Sequence, residues 1–287
     1  MNDQAAPATP TDSDDTDTAF PRGFLNAEDA ALGQRFLRDG YVIQPVDDNE
    51  ALETIRAAVA AQAAQHLQVA DPGPEDAFLN TIHERVSVAD LNALRLDVYN
   101  TVNAAPWMRE AYFSLARRSL EALVGNELAM QRRVNLSVQL PNDDSSLLPV
   151  HADVWSGDSP FEIVVWLPLV DCHHTKSMYL LPPGPDRAVS GRLQEFASQS
   201  AEDLFQAIEP DVEWIDIRFG QVLLFAQSLM HGNRINREPE TRWSMNCRFK
   251  SLFSPYADKR LGEFFEPITI RPATRLGMDY KLPGGFE

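Results

Sequence analysis

The chain has 287 residues, 44% of them hydrophobic, and a formal net charge of -17. This charge disfavours nucleic acid and anionic membranes as partners, and it leaves small molecules as the expected class. The two cysteines, Cys172 and Cys247, exclude a disulfide framework and a cysteine-only zinc site. The sequence also has no bilayer-length apolar run and no signal-peptide pattern, so we expect a cytoplasmic protein.

The first 128 residues are predicted to be mainly helical. Residues 1–20 contain mostly Asp, Thr, Ala and Pro, and this composition predicts a disordered acidic tail. Capping residues and helix breakers predict helices at 26–40 and 48–68, a short strand at 41–43, and two further helices at 87–125, divided near Pro106.

From Gln131 the hydrophobic pattern alternates with a period of two residues, which indicates strands. About eight strands are expected, at 133–140, 148–155, 161–170, 177–181, 212–218, 221–226, 230–233 and 243–253, with an amphipathic helix at 192–208. This order predicts a mainly β fold with helical support: a double-stranded β-helix of the jelly-roll, cupin-like type preceded by several α-helices. Residues 21–287 would form one domain, with a helical preface at 21–128, a β-barrel core at 130–255 and a C-terminal extension at 256–287.

His151 and Asp153 are the first candidate site residues. If 148–155 is a strand, alternation places both side chains on the same face. One imidazole and one carboxylate are two of the three ligands in the facial triad, which holds Fe(II) and leaves three positions open. The His-x-Asp motif alone is weak, because a strand-end histidine bonded to a nearby acid gives the same pattern.

His231 is the candidate for the third ligand. It follows the predicted strand 221–226, although taken alone it could be a surface-loop histidine. Arg242 comes eleven positions later and opens a strand whose polar residues share one face. Arg242 and Ser244, on that face, can jointly bind a carboxylate through a guanidinium fork and a hydroxyl.

The order of His151-x-Asp153, His231 and Arg242 resembles the Fe(II)/2-oxoglutarate-dependent oxygenases, particularly the phytanoyl-CoA dioxygenase-like branch. The run from His151 to Asp171 is similar to oxygenases of bacterial carbohydrate-biosynthesis clusters. The resemblance covers residues 130–255.

The resemblance implies roles for the candidate residues. His151, Asp153 and His231 would be the iron ligands, and Arg242 with Ser244 would hold the distal carboxylate of 2-oxoglutarate. The implied reaction consumes O2 and 2-oxoglutarate, hydroxylates a substrate, and releases succinate and CO2.

Other polar residues have two interpretations. Asn135 and Gln139, on one face of a predicted strand, could reach the iron site or 2-oxoglutarate, or could have no part in the site. The Cys172-His173-His174 run could bind a soft metal, but its side chains alternate in direction, which favours a loop.

The cavity beside the candidate ligands is expected to be polar with a positive bias. The side chains behind this expectation are Arg133, Asn135, Ser137, Gln139, Asn246, Arg248 and Lys250. The alternatives are that internal acids such as Asp153 or Glu162 pair with these cations, or that the strand ends reach solvent. A positive cavity would suit a hydroxyl-rich, anionic substrate such as an acidic sugar.

Two other functions share the predicted fold. A cupin-type metal-dependent isomerase or ring-cleaving dioxygenase would not use 2-oxoglutarate, and the Arg242 and Ser244 pair disfavours it. A non-catalytic sugar-binding barrel is also possible, but such a protein does not need an open facial triad.

Overall fold

The computed structural model describes residues 24–284, so the predicted tail at 1–20 lies outside the described part of the chain. The longer helices are α1 (Ala27–Asp39), α2 (Asn49–His66), α3 (Glu75–Asn80), α4 (Val88–Ala104), α5 (Met108–Ser114), α6 (Arg117–Leu123), α7 (Pro183–Ser190), α8 (Ala201–Ile208) and α9 (Pro272–Asp279).

The first two helices begin and end where their capping residues predict. The Asn26 side chain accepts a hydrogen bond from a backbone N–H in the first turn of α1, and Gly40 ends that helix at φ 76°. Asp48 caps α2 in the same way. Short polar side chains and one glycine therefore fix these boundaries.

The prediction of two helices at 87–125 is wrong, because the structure has three. The helix that follows Pro106 is interrupted after Leu115, whose carbonyl accepts a hydrogen bond from the Asp47 N–H at 2.9 Å. The Asp47 carboxylate in turn accepts from the Arg118 N–H at 2.8 Å. A tertiary contact thus divides this segment into α5 and α6.

In the described part of the chain, ten strands form two antiparallel sheets. They are β1 (Tyr41–Pro45), β2 (Leu128–Gln131), β3 (Asn135–Gln139), β4 (Glu162–Pro168), β5 (Tyr179–Leu180), β6 (Glu213–Trp214), β7 (Gln221–Ala226), β8 (His231–Gly232), β9 (Arg242–Ser251) and β10 (Phe265–Pro267). The larger sheet has the order β1-β7-β4-β9-β2-β10, with β3 also paired to β9, and the smaller has the order β6-β5-β8. The predicted mainly β architecture with helices is confirmed.

Two predicted elements in the β region are wrong. The segment 148–155 is not a strand: His151 makes an isolated bridge, and a 3₁₀ helix covers Asp153–Ser156. The single helix expected at 192–208 is a 3₁₀ turn at Leu193–Phe196 followed by α8, which starts anew at a capping box. α7 begins at Pro183, just after the strand expected at 177–181, since proline fits the first helical position.

The strand boundaries differ from the predictions in other places. The expected strands at 177–181, 212–218 and 230–233 are reduced to the two-residue strands β5, β6 and β8. β2 was not predicted, and β10 pairs with it from within the segment expected to be a C-terminal extension. α3 was also missed.

β4 and β9 separate the helical core from a polar cavity. In β4, Val164 and Trp166 line the cavity, while the Val165 carbonyl accepts a hydrogen bond from the buried Tyr112 hydroxyl at 3.0 Å. Every residue of β4 is buried, which explains the apolar run from Ile163 to Pro168. In β9, Arg242, Ser244, Asn246 and Arg248 line the cavity, and the apolar residues between them enter the core.

Within residues 24–284, no helix is both long enough and apolar enough to cross a bilayer.

Candidate metal centre and ligand cavity

His151, Asp153 and His231 converge through backbone pairing between distant segments. His151 and His231 exchange two backbone hydrogen bonds of 3.0 and 2.8 Å, and the Asp153 N–H donates to the Gln227 carbonyl at 3.0 Å. One ligand atom from each of the three side chains lies within 4.8 Å of the other two. The convergence expected from strand alternation is thus achieved by a bridge and a turn.

Both imidazoles present the same nitrogen to the centre of this cluster. The Nδ1 atoms lie 2.7 Å from the Pro149 carbonyl and 2.8 Å from the Leu229 carbonyl. A carbonyl only accepts, so each Nδ1 carries the proton and each Nε2 is free to bind a metal. Burial, and then the neighbouring His151, lowers the pKa of His231 to about 4. His231 is therefore neutral at neutral pH.

The Asp153 carboxylate uses its two oxygens differently. Oδ1 lies 3.6 Å from the Nε2 of His151 and 3.9 Å from the Nε2 of His231. Oδ2 accepts a hydrogen bond from Arg248 at 2.7 Å. Two imidazole nitrogens and one carboxylate oxygen are a donor set that suits Fe(II) and related divalent metals.

A cavity of about 580 Å³ opens beside the three ligands, between the larger sheet and the smaller one. Its polar and charged lining comes from several elements: Asn92, Arg95, Asn135, Ser137, Ser145, Ser146, His151, Asp153, His231, Asn233, Arg242, Ser244, Asn246 and Arg248. The volume is suitable for a small organic ligand.

Arg242 is a buried cation without an acidic partner within residues 24–284. Its side chain donates to the Ser177 carbonyl at 3.0 Å and to the Ser137 hydroxyl at 3.2 Å, while its Nε has no hydrogen-bond partner there. The residue is 3% exposed, and burial lowers its pKa to about 10, so it is charged at neutral pH. The neighbouring Ser244 hydroxyl is buried and also lacks a partner among these residues. Both side chains line the cavity and can receive an anion.

The other two predicted cofactor residues differ in position. Asn135 lines the cavity, and its amide donates to Asn246 at 2.9 Å. Gln139 is fully buried, donates to the Arg234 carbonyl at 2.7 Å, and does not line the cavity.

The predicted positive bias from Arg133, Arg248 and Lys250 is not found. Arg248 pairs with Asp153, as one of the alternatives anticipated. The Lys250 ammonium donates to the Pro255 carbonyl at 2.5 Å and does not line the cavity. Arg133 is exposed and also lies outside the cavity lining.

The Cys172-His173-His174 run does not gather into a metal-binding cluster in the structure. Cys172 is fully buried and directs its thiol at the Val170 carbonyl, while the two histidine rings stack edge to face outside the core. Within residues 24–284, the His151, Asp153 and His231 group is the one that meets the geometry of a metal site.

Arg95 is a cavity residue that the sequence did not indicate. It lies on α4, and its guanidinium donates to Asn92 at 2.8 Å, without an ion pair to any acid in the described chain. Leu91, Leu94 and Val98 form the buried stripe of α4, and Arg95 borders this stripe. A cation beside an apolar stripe is the sequence signal that could have identified it.

No family model and no curated protein matches the sequence. Solved structures of non-heme oxygenases do share the fold. The non-heme monooxygenase ThoJ, as a nickel complex, is 18% identical over 84% of each chain, with a TM-score of 0.53. Apo ThoJ is 15% identical over 84% of each chain, also with a TM-score of 0.53. EctD from S. alaskensis in its apoform is 17% identical over 81% of this chain and 79% of its own, with a TM-score of 0.49. At sequence identities of 15% and 18%, the structural similarity to ThoJ shows a common fold.

Proposed function

We propose that the protein is a non-heme Fe(II)- and 2-oxoglutarate-dependent oxygenase that hydroxylates a polar small molecule. In this proposal His151, Asp153 and His231 hold the iron, and Arg242 with Ser244 binds the distal carboxylate of 2-oxoglutarate. The observation that carries the proposal is the buried Arg242 guanidinium, which has no acidic partner among residues 24–284 and faces the same cavity as the three ligands.

An unpaired buried cation is costly, because burial removes its hydration without supplying a counter-ion. Such a cation is retained where a ligand anion completes its environment. The fork of Arg242 and the partnerless Ser244 hydroxyl supply the donors that a carboxylate needs. A dicarboxylic acid could place one carboxylate there and direct its other end to the metal ligands.

His151, Asp153 and His231 would hold the metal and leave part of its coordination free for 2-oxoglutarate and O2. When bound, iron with 2-oxoglutarate and O2 would supply the oxidising chemistry, yielding succinate and CO2. The chain would hold the metal through His151, Asp153 and His231, with the Nε2 atoms of both imidazoles directed to it, and would orient 2-oxoglutarate through Arg242.

The finer assignment belongs to the same proposal. The spacing of His151-x-Asp153, His231 and Arg242 supports the phytanoyl-CoA dioxygenase-like branch. Two antiparallel sheets on either side of the cavity are the arrangement expected of a jelly roll, the fold predicted from the strand order.

The cavity lining favours a polar substrate. Asn92, Asn135, Ser146 and Asn246 offer amides and hydroxyls that bind hydroxyl groups, and Arg95 offers a cation that suits a carboxylate or phosphate. An acyl chain would need an apolar tunnel instead. We therefore propose a hydroxyl-rich substrate with an acidic group, such as a sugar acid, and a cytoplasmic location in keeping with such small-molecule chemistry.

The test is substrate-stimulated succinate release with iron, ascorbate and 2-oxoglutarate. The panel contains sugar acids, their neutral parent sugars, amino acids and acyl thioesters. We expect stimulation by hydroxylated acids. Stimulation confined to acyl thioesters would overturn the polar-substrate proposal, and substrate conversion without succinate would support the isomerase alternative.

A further inference from the structure

Arg248 is held on three sides beside the metal-ligand cluster. Its Nη2 donates to Asp153 Oδ2 at 2.7 Å, its Nε donates to Gln227 at 3.0 Å, and its Nη1 donates to Gln131 at 3.3 Å. Only 12% of its side chain is exposed. The planar guanidinium is thereby fixed in one orientation, which a lysine ammonium could not reproduce.

A second acid, Asp158, also balances the charge of Arg248. Asp158 Oδ1 lies 3.3 Å from the Arg248 Nε, without hydrogen-bond geometry because that N–H points at Gln227. The other Asp158 oxygen pairs with Lys259, and the Asp158 side chain is 1% exposed. Charges therefore alternate along Asp153, Arg248, Asp158 and Lys259, starting at a candidate metal ligand.

We infer that Arg248 is a positioning residue: by holding Oδ2, it restricts Asp153 to one metal-binding oxygen, while Asp158 balances the Arg248 charge. The inference rests on the proposed function, because a carboxylate that bound through both oxygens would occupy a position that 2-oxoglutarate or O2 requires. Arg248 thus limits the number of metal positions that the protein fills.

Removal of Arg248 and removal of Asp158 have opposite expected effects on metal binding. Without Arg248, Asp153 is free to use both oxygens and carries an uncompensated negative charge, which favours the metal. Without the Asp158 charge, Arg248 attracts Asp153 more strongly and competes with the metal for it. A network that only maintained the fold would not separate these two effects.

The experiment uses Co(II) as a spectroscopic probe in the full-length protein. Co(II) affinity and 2-oxoglutarate affinity of the Co(II)-loaded protein are measured for the wild type, Arg248→Met and Asp158→Asn. Arg132→Met is the matched control, because Arg132 makes an Arg–carboxylate pair with Glu266 elsewhere. Arg248→Lys is the second variant at the same position, since it retains the positive charge but loses the planar guanidinium that contacts three side chains at once.

For Arg248→Met we expect Co(II) affinity equal to or higher than in the wild type, and 2-oxoglutarate affinity reduced by about 10-fold or more. For Asp158→Asn we expect the reverse: Co(II) affinity reduced by about 10-fold, with 2-oxoglutarate affinity retained. Arg248→Lys should recover part of the lost 2-oxoglutarate affinity, and Arg132→Met should match the wild type.

A fall of Co(II) affinity in Arg248→Met, alongside the fall for 2-oxoglutarate, would overturn the positioning role. So would unchanged Co(II) affinity in Asp158→Asn. If the wild type binds Co(II) but not 2-oxoglutarate, the proposed function is wrong. The opposite changes in Co(II) affinity then still decide whether Arg248 positions Asp153.

Discussion

Two arginines of β9, the buried Arg242 and the partly buried Arg248, line the same cavity, but their charges are balanced differently. Arg242 has a carbonyl and a hydroxyl as partners and no acid within residues 24–284. Arg248 has two acids, Asp153 and Asp158. The difference indicates that one cation is reserved for an incoming anion, whereas the other belongs to the protein's own charge network.

The largest expected effect is that of Asp153→Ala, which removes the acid shared by the metal site and Arg248. We expect metal affinity to fall by more than the roughly 10- to 100-fold that loss of a supporting hydrogen bond costs. Titration with Co(II) measures this, with Asp216→Ala at an exposed position as the control. Metal binding as tight as in the wild type would remove Asp153 from the ligand set.

Arg242→Lys tests whether the unpaired cation acts through its fork. The substitution retains the charge and loses bidentate geometry, so 2-oxoglutarate binding should weaken by about 1 to 3 kcal/mol with metal binding little changed. Calorimetric titration of the metal-loaded proteins measures the change, with Arg218→Lys on the surface as the control. Equal affinities would place 2-oxoglutarate away from Arg242.

Replacing each arginine with methionine tests, through the free energy of unfolding, whether the two charges are balanced differently. In metal-free and ligand-free protein, Arg242→Met removes an unpaired buried charge and should raise the free energy of unfolding by about 1 kcal/mol. Arg248→Met leaves Asp153 without its partner and should lower it by about 3 kcal/mol. Urea denaturation of the two variants and the wild type gives both values. A loss of stability in Arg242→Met as large as in Arg248→Met would contradict the distinction.

Arg95→Gln has the smallest expected effect, because this cation is only partly buried. We expect KM for an acidic substrate to rise by about 3- to 10-fold, in keeping with a partly exposed ion pair of roughly 1 kcal/mol. KM for the neutral parent substrate and 2-oxoglutarate affinity should stay constant, and exposed Arg85→Gln is the control. Equal rises for acidic and neutral substrates would exclude Arg95 as the anion-binding residue.

Local patterns predicted much of the fold. Asn26, Gly40 and Asp48 identify helix ends because capping depends on neighbouring residues. The alternation of β9 correctly predicts a polar face on a cavity and an apolar face in the core. The division at Leu115 could not be predicted, since its cause is a hydrogen bond from Asp47, which is distant in sequence.

The candidate site shows the same limit. The His-x-Asp pattern and the resemblance to an oxygenase family singled out His151, Asp153 and His231, although the backbone geometry that brings them together is a bridge and a turn rather than a strand. Pattern could not show that Gln139 would bond to a backbone carbonyl away from the cavity. It also could not show which cations would find acids, because pairing depends on segments that meet only in the folded chain.

The most direct measurement of the central claim is anaerobic addition of Fe(II) and then 2-oxoglutarate to the wild type and to Arg242→Lys. Chelation of the metal by the 2-oxo acid gives a visible metal-to-ligand charge-transfer band. We predict this band in the wild type, and in Arg242→Lys only at higher 2-oxoglutarate concentration. An Fe(II)-loaded wild type that shows no band at saturating 2-oxoglutarate would contradict the account.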